Sequence, residues 1–281
     1  MPEQAHNSLP NTRGTVMAEA RAALHEVVSG FVRLVRAIPD PNVPSIGSWR
    51  VGDVAAHLSH ALRVDTDAVA ERPLPPATVT KAGMDELTEM MLSEDSERSP
   101  TVIADNIDEL FREFDEVASR SQATTVDWLQ GARIPPSAVA CHLLEECLVH
   151  GHDIATATNQ PWVIERHHAL LAIECFALPL IQALPPTALL NPDRAQSLCA
   201  QIDMRLRGGV RTHMALNNGS LTFDSDAVSN VDVHVSADPA AFLLMFMGRQ
   251  GMWKPLVTGK AMAWGRRPWQ LVRALGVLAP P

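Results

Sequence analysis

The sequence predicts an α+β protein with a helical bundle first and a small α+β domain after it. Two observations carry this. Up to about residue 190 the apolar residues recur at steps of three and four, and after Pro192 they alternate with polar residues at steps of two. A third limits the class: 281 residues, 46% hydrophobic and 20% charged, suit a soluble globular chain long enough for one large or two smaller cores.

Residues 1–15 have neither a basic nor an apolar leader pattern and read as a disordered tail. The first helix starts at Val16 and carries Ala20, Leu24, Val27, Phe31, Leu34 and Ile38 on one face, and Pro39 and Pro41 stop it. After the loop PNVPSIGSW, a second helix follows Val51, Val54, Leu58, Ala61, Leu62 and Val69. A third, after Ser99-Pro100, holds Ile103, Ile107, Leu110, Phe111, Phe114 and Val117, and a fourth runs from Pro135-Pro136-Ser137 to about Thr156. Four such stripes predict a four-helix bundle over 16–190. A further helix from Glu165 to Leu184 is apolar almost all round and is expected to be buried between domains. The run SEDSERS reads as a solvated loop.

In 191–281, Ile202/Met204/Leu206, Met214/Leu216, Leu221/Phe223 and Val231/Val233/Val235 predict antiparallel strands, with a hairpin turn at Asn217-Asn218-Gly219. Asp238-Pro239 opens a helix, Leu256-Val257 marks a strand, and a last helix spans about Pro268 to Leu275.

With 32 acidic against 23 basic residues the net charge is −9, and no Lys/Arg-rich run stands out, so nucleic acid and anionic lipid are not expected partners. The most apolar stretch, from Ala169, is broken by Glu174, Pro179, Gln182 and Pro185-Pro186, which argues against membrane insertion. Four cysteines without a CxxC pair indicate neither a disulfide framework nor a cysteine zinc site, and point to the cytoplasm.

The informative constellation lies on the fourth helix. At 100° per residue, Val139, Leu143, Glu146, Cys147, His150 and Ile154 share one stripe, so a carboxylate and an imidazole sit inside an apolar face. A buried carboxylate needs a cation or several donors. The i, i+4 spacing lets Glu146 and His150 address one atom, either as metal ligands or as a buried hydrogen-bonded pair with no metal. On the second helix, His57 lies nearer the apolar stripe than His60, which falls about 60° further toward solvent, and His57 is the better third ligand. Two histidines and one carboxylate would make an open site of the catalytic type, accepting zinc, nickel or iron, with zinc the default. His142 is an alternative ligand further from the stripe centre, and Cys147 is a core residue or a soft ligand. His152 faces away as a surface histidine. His167, His168 and His213 receive no role. Arg205, Arg207 and Arg211 are candidates for a substrate carboxylate.

SWRVGDVAAHLSHAL and EECLVHGHDIATATNQPW resemble two segments of the mycothiol-dependent maleylpyruvate isomerase family, W-T-V-x-D-V-x-A-H-L and E-x-x-V-H-G-W-D-I-A-x-A-T-G-x-P-W. The resemblance implies a DinB-like bundle that binds a divalent metal through His57, Glu146 and His150. Asp153 matches the family's aspartate, placed to orient a ligand or to help end the helix. It further implies mycothiol as thiol cosubstrate, deprotonated at the metal, in isomerisation or S-transfer on a small electrophilic molecule. The segment from VDVHVSADPAAF to WQLVRAL resembles a sterol-carrier-like domain. The alternative function is therefore an apolar-ligand (lipid or sterol) binding protein with a structural metal site. Two departures stand out: His152 replaces a tryptophan, and Arg50 replaces a helix-capping threonine, leaving Ser48 or the local turn to cap the second helix. Catalytic residues other than ligands are not identifiable from the sequence.

Overall fold

The computed structural model describes residues 12–76, 81–128, 132–183, 190–224 and 230–277. Most of the expected tail, the Pro185-Pro186 pair and much of the stretch around the expected 190/191 boundary lie outside the described residues. Helices occupy the N-terminal part and a sheet the C-terminal part.

Helices α1 (Thr12–Arg36), α2 (Val51–Val69), α4 (Pro100–Arg120) and α5 (Pro136–Thr158) form the bundle, with α1 and α2 each packed against both α4 and α5. Their apolar stripes meet in one core in which Leu24, Phe31, Leu58, Ile107, Phe114 and Leu143 are fully buried. α4 begins on Pro100 at its first turn, where the missing N–H costs nothing. α5 ends at Asn159, whose φ of 53° supplies the left-handed cap.

The loop before α2 is pinned by backbone bonds. Val51 N–H donates to the Val43 carbonyl and Gly52 N–H to that of Pro41, both at 2.9 Å, while the Arg50 N–H donates to Asp53 Oδ2 at 2.8 Å. The second helix is thus capped by loop carbonyls and Asp53, and Ser48 takes no part. A Cβ on Gly52 would come within 3.0 Å of Pro41, so glycine permits this close approach.

An element not foreseen, α3 (Lys81–Glu94), has Leu87 as the only buried apolar residue among those described, and that thin stripe explains why the pattern was missed. The SEDSERS run has no buried residue, as expected of a solvated segment, and it also reaches back to the bundle. Asp95 Oδ2 lies 3.0 Å from His60 Nε2, and Arg98 Nε donates to Asp53 at 2.7 Å. A short antiparallel pair, β1 (Val126–Asp127) and β2 (Arg133–Ile134), was also unforeseen, since two-residue strands carry no readable period.

The buried helix expected from Glu165 is divided into α6 (Arg166–Ala172), a π-turn at Ile173–Ala177 and α7 (Leu178–Ala183). It lies between the parts: α6 packs on α1 and α5, and Ile173, Ala177 and Ile181 face the sheet. Helix α8 is one turn, Pro192–Ala195.

The sheet contains β3 (Cys199–Leu206), β4 (Arg211–Asn217), β5 (Ser220–Asp224), β6 (Val233–Ala237) and β7 (Ala261–Trp264) in the order β5-β4-β3-β6-β7. The hairpin turn is as expected, since Asn218 and Gly219 both have positive φ, 48° and 86°, and join β4 to β5. One pairing corrects the expectation: β6 runs parallel to β3, because alternation reports which face a residue occupies and not strand direction. Helix α9 (Pro239–Phe246) starts at Asp238, whose carboxylate accepts the Ala241 N–H. A second correction concerns Leu256-Val257, which belongs to a helical turn, α10 (Trp253–Val257), with Pro255 tolerated in its first turn. The strand is β7, five residues on. Helix α11 (Trp269–Leu275) closes the described chain. Among the described residues no helix is long and apolar enough to cross a membrane.

Candidate functional site

α2 and α5 pack side by side, and their facing stripes bring His57 onto Glu146 and His150. His57 Nε2 lies 3.0 Å and His150 Nε2 3.3 Å from the same oxygen, Glu146 Oε2. One ligand atom from each of the three residues lies within 4.8 Å of the others. The side chains are mostly enclosed, at 17%, 15% and 8% exposure for His57, Glu146 and His150.

Each group is held by a partner behind it. Asp153 Oδ2 lies 3.0 Å from His150 Nδ1, which leaves Nε2 facing Glu146. The loop pinned ahead of α2 lays the Trp49 ring against His57 and His150, with centroids 5.1 and 6.2 Å away. Glu146 Oε1 takes a third histidine, His142 Nε2 at 3.4 Å, whose Nδ1 lies 2.6 Å from the fully buried Asp65. Trp128 Nε1–H donates to the other oxygen of Asp65 at 2.8 Å. From the sheet side Arg249 reaches across, its Nη2 2.9 Å from Asp153 Oδ2, with further N–H groups on Asp153 and the Met247 carbonyl.

Burial pushes Glu146 up, but hydrogen bonds from His142, His150 and His57 outweigh it and hold the carboxyl well below its ordinary range. His57 is lowered from its ordinary value by burial, against the opposing pull of Glu146. Burial also opposes charge on His150, yet Asp153 and Glu146 bring it up to about 9. His142 is raised well above the usual range, as burial is overcome chiefly by Asp65. Asp153 is lowered despite burial by His150, His152 and Arg249. Glu145, next in sequence to Glu146 but aimed elsewhere, is pushed by burial up to about 8. Two imidazoles and a carboxylate converging on one point, one imidazole fixed from behind by a carboxylate, fit a divalent metal.

The remaining expected residues fall outside the cluster. His60 is turned to Asp95, with its side chain 11% exposed rather than toward solvent. Cys147 is fully buried and its thiol is pushed up by burial. His152 is half-buried, 3.9 Å from Asp153. Arg211 is tied to Asp203, Arg207 donates to the Gly259 carbonyl, and Arg205 is exposed. The arginine that does meet the site is Arg249, which the sequence reading passed over, as it did Trp49 and Asp65. Trp49 was visible inside the SWRVGD segment, whereas Asp65 and Arg249 carry no local signal.

Residues 18–155 match the family described as the mycothiol maleylpyruvate isomerase N-terminal domain. No curated protein matches the chain. Among solved structures, the crystal structure of the mycothiol-dependent maleylpyruvate isomerase superposes with a TM-score of 0.52 at 14% identity, over 84% of this chain and 90% of that one. A histidine-to-alanine mutant of that enzyme gives a TM-score of 0.52 at 14% identity, over 83% and 90%. At such identity the likeness is one of fold. Through residues 18–155, the stretch that carries His57, Glu146 and His150, the chain belongs to the family of mycothiol maleylpyruvate isomerase N-terminal domains.

Proposed function

We propose that the chain is a metal-dependent enzyme that uses mycothiol, a low-molecular-weight thiol, in isomerisation or S-transfer on a small electrophilic substrate. The observation that carries this reading is the convergence of His57, Glu146 and His150 within 4.8 Å, in a domain of this family. These three are assigned as metal ligands, with zinc the first choice, and Asp153 as the residue that orients His150. A bound divalent metal supplies Lewis acidity that holds a thiol as thiolate near neutral pH. Asp153 fixes the His150 ring so that Nε2 faces the donor set. Trp49 covers one side of His57 and His150 and excludes water there. Arg249 balances the charge of Asp153 behind His150. The cytoplasm, where small thiols stay reduced, is the compartment this reading requires. The test is a survey of electrophilic unsaturated acids with metallated protein and mycothiol. Thiol-dependent turnover supports the reading, and its absence from fully metallated protein overturns it.

A second reading, apolar-ligand binding, is favoured by a cavity of about 310 Å³ between the sheet and the π-turn helix. Ile173, Ile181, Met204, Met214, Phe242 and Leu271 are among its walls, and among the described residues that line it only Gln250 is polar. Native mass spectrometry of purified protein decides it: co-purifying lipid supports this reading, and a clean apo mass removes it.

A further inference from the structure

Glu146 is approached at both of its oxygens by a histidine that an aspartate holds from behind. On Oε2 stands His150, four residues on, with Asp153 at 3.0 Å from its Nδ1. On Oε1 stands His142, four residues back, at 3.4 Å, with Asp65 at 2.6 Å from its Nδ1. The first pair is local to α5, whereas the second is closed by a residue of α2, 77 positions away. His57 also sits on Oε2, at 3.0 Å. Among the described residues, His142 is therefore the side chain that holds Oε1.

Three further elements fix the His142 ring. Asp65, on α2, is fully buried, and its other oxygen accepts the Trp128 Nε1–H at 2.8 Å. Trp128 follows β1, and its backbone N–H donates to the Ala132 carbonyl at 2.8 Å, which extends the short ladder with β2 and leaves the indole buried. Phe176, on the π-turn, sets its ring 4.7 Å from that of His142 and 5.4 Å from that of Trp128. A fully buried carboxylate is costly to keep, and the described residues give Asp65 these two partners with no Lys or Arg in ion-pair reach. Packing alone would be served as well by an apolar residue of similar volume. What the carboxylate adds is a fixed direction for the imidazole that it holds.

We infer that His142, and Asp65 through it, are positioning residues that hold Oε1 of Glu146 and leave Oε2 as the single carboxylate oxygen offered to a metal beside His57 and His150. The inference rests on the proposed assignment of those three residues as ligands. Oε2 faces both ligand imidazoles, whereas the His142 contact lies on the opposite oxygen and does not compete with an ion for the same lone pairs. A carboxylate released at Oε1 is free to offer both oxygens. One oxygen with two imidazole nitrogens suits the low coordination number of zinc, and a second oxygen shifts the site toward ions that take more oxygen ligands. Neither His142 nor Asp65 lies in the two segments that resemble the family, so those segments alone do not report the arrangement.

The experiment measures zinc affinity of the full chain by chelator competition and the visible spectrum of the cobalt(II)-loaded protein, which reports coordination number. Wild type is compared with His142→Phe, His142→Gln, Asp65→Leu and the double variant His142→Phe with Asp65→Leu. His142→Phe keeps a ring but removes its nitrogens, and is expected to weaken zinc binding about 10- to 100-fold, the usual effect of losing a ligand's hydrogen-bond partner. Its cobalt spectrum is expected to move toward higher coordination. His142→Gln keeps an N–H donor and is expected to recover much of the affinity. Asp65→Leu is expected to weaken zinc binding on its own and to add little to His142→Phe, because it acts through that ring. Unchanged affinity in His142→Phe overturns the inference, as do additive effects of the two substitutions or a wild-type cobalt spectrum in every variant. Should Asp65→Leu not fold, equal affinities of the Phe and Gln variants overturn it. Wild type that takes up neither zinc nor cobalt overturns the ligand assignment and the inference together, whereas metallated variants indistinguishable from wild type overturn the inference alone.

Discussion

Arg249 and Asp153, 96 residues apart, form an ion pair at 2.9 Å that ties the sheet part of the chain to the back of the histidine cluster. Asp153 is only 5% exposed and also holds His150 Nδ1, so one carboxylate fixes a ring and anchors a domain contact. The family segment on α5 is therefore completed by a residue that the segment does not contain.

Asp153→Asn keeps the side chain's size but removes its charge, leaving Arg249 uncompensated and His150 less firmly oriented. Loss of such a partner behind a ligand typically lowers metal affinity 10- to 100-fold. Competition with a chromophoric chelator is expected to show a weakening in this range with the fold retained. Unchanged affinity would mean that Asp153 serves the domain contact alone.

Gly151, the residue after His150, has no side chain because the Trp162 ring lies where one would be, and Trp162 Nε1–H donates to the Leu148 carbonyl at 3.0 Å. A methyl group there must displace the ring from α5 and from Phe31. Gly151→Ala is expected to cost about 1–3 kcal/mol, the usual range for overpacking, and urea denaturation measures it. A variant as stable as wild type would show that Trp162 moves freely.

How far the site could be read in advance follows from where its signals lie. His57, Glu146 and His150 stand in contiguous helical segments, so their faces follow from 100° per residue and their context from two short motifs. His142 was placed away from the stripe centre, yet in the structure Asp65 draws its ring to Glu146, a contact set by a residue 77 positions earlier. Long amphipathic elements such as α1, α4 and α5 were legible for the same reason. Short or thin ones were not: α3 has a single buried apolar residue among those described, β1 and β2 have two residues each, and the direction of β6 depends on pairing with β3, which no local pattern records.

Asp203 on β3 predicts acid sensitivity of the sheet. It is held below the ordinary carboxylate range by Arg211 and then His234, whose Nδ1 lies 2.6 Å away, although burial opposes this. A depressed folded value contributes stability above the unfolded value of about 3.9, and that stability is lost as pH falls toward the folded one. Melting temperatures are expected to decline below about pH 5, and Asp203→Asn is expected to be less stable at neutral pH, by about 1–3 kcal/mol, with a shallower acid decline. Parallel profiles for the two proteins would remove Asp203 as the cause.

Three of the four cysteines predict a labelling order. Cys199 is exposed, whereas Cys141 and Cys147 are fully buried with thiols raised by their surroundings. Thiolate reagents are expected to modify Cys199 in the native protein and to reach Cys141 and Cys147 only on unfolding. Native labelling of Cys147, followed by peptide mass spectrometry, would contradict the packing of α5 beside the site.

The most direct measurement is the metal content of tag-free protein by plasma mass spectrometry, with wild type beside His57→Ala and Glu146→Ala. The account predicts near-stoichiometric divalent metal in wild type and its loss from both variants while circular dichroism shows the helices intact. Wild type without metal after reconstitution, or variants that retain it, would contradict the assignment and leave His57, Glu146 and His150 as a buried hydrogen-bonded cluster.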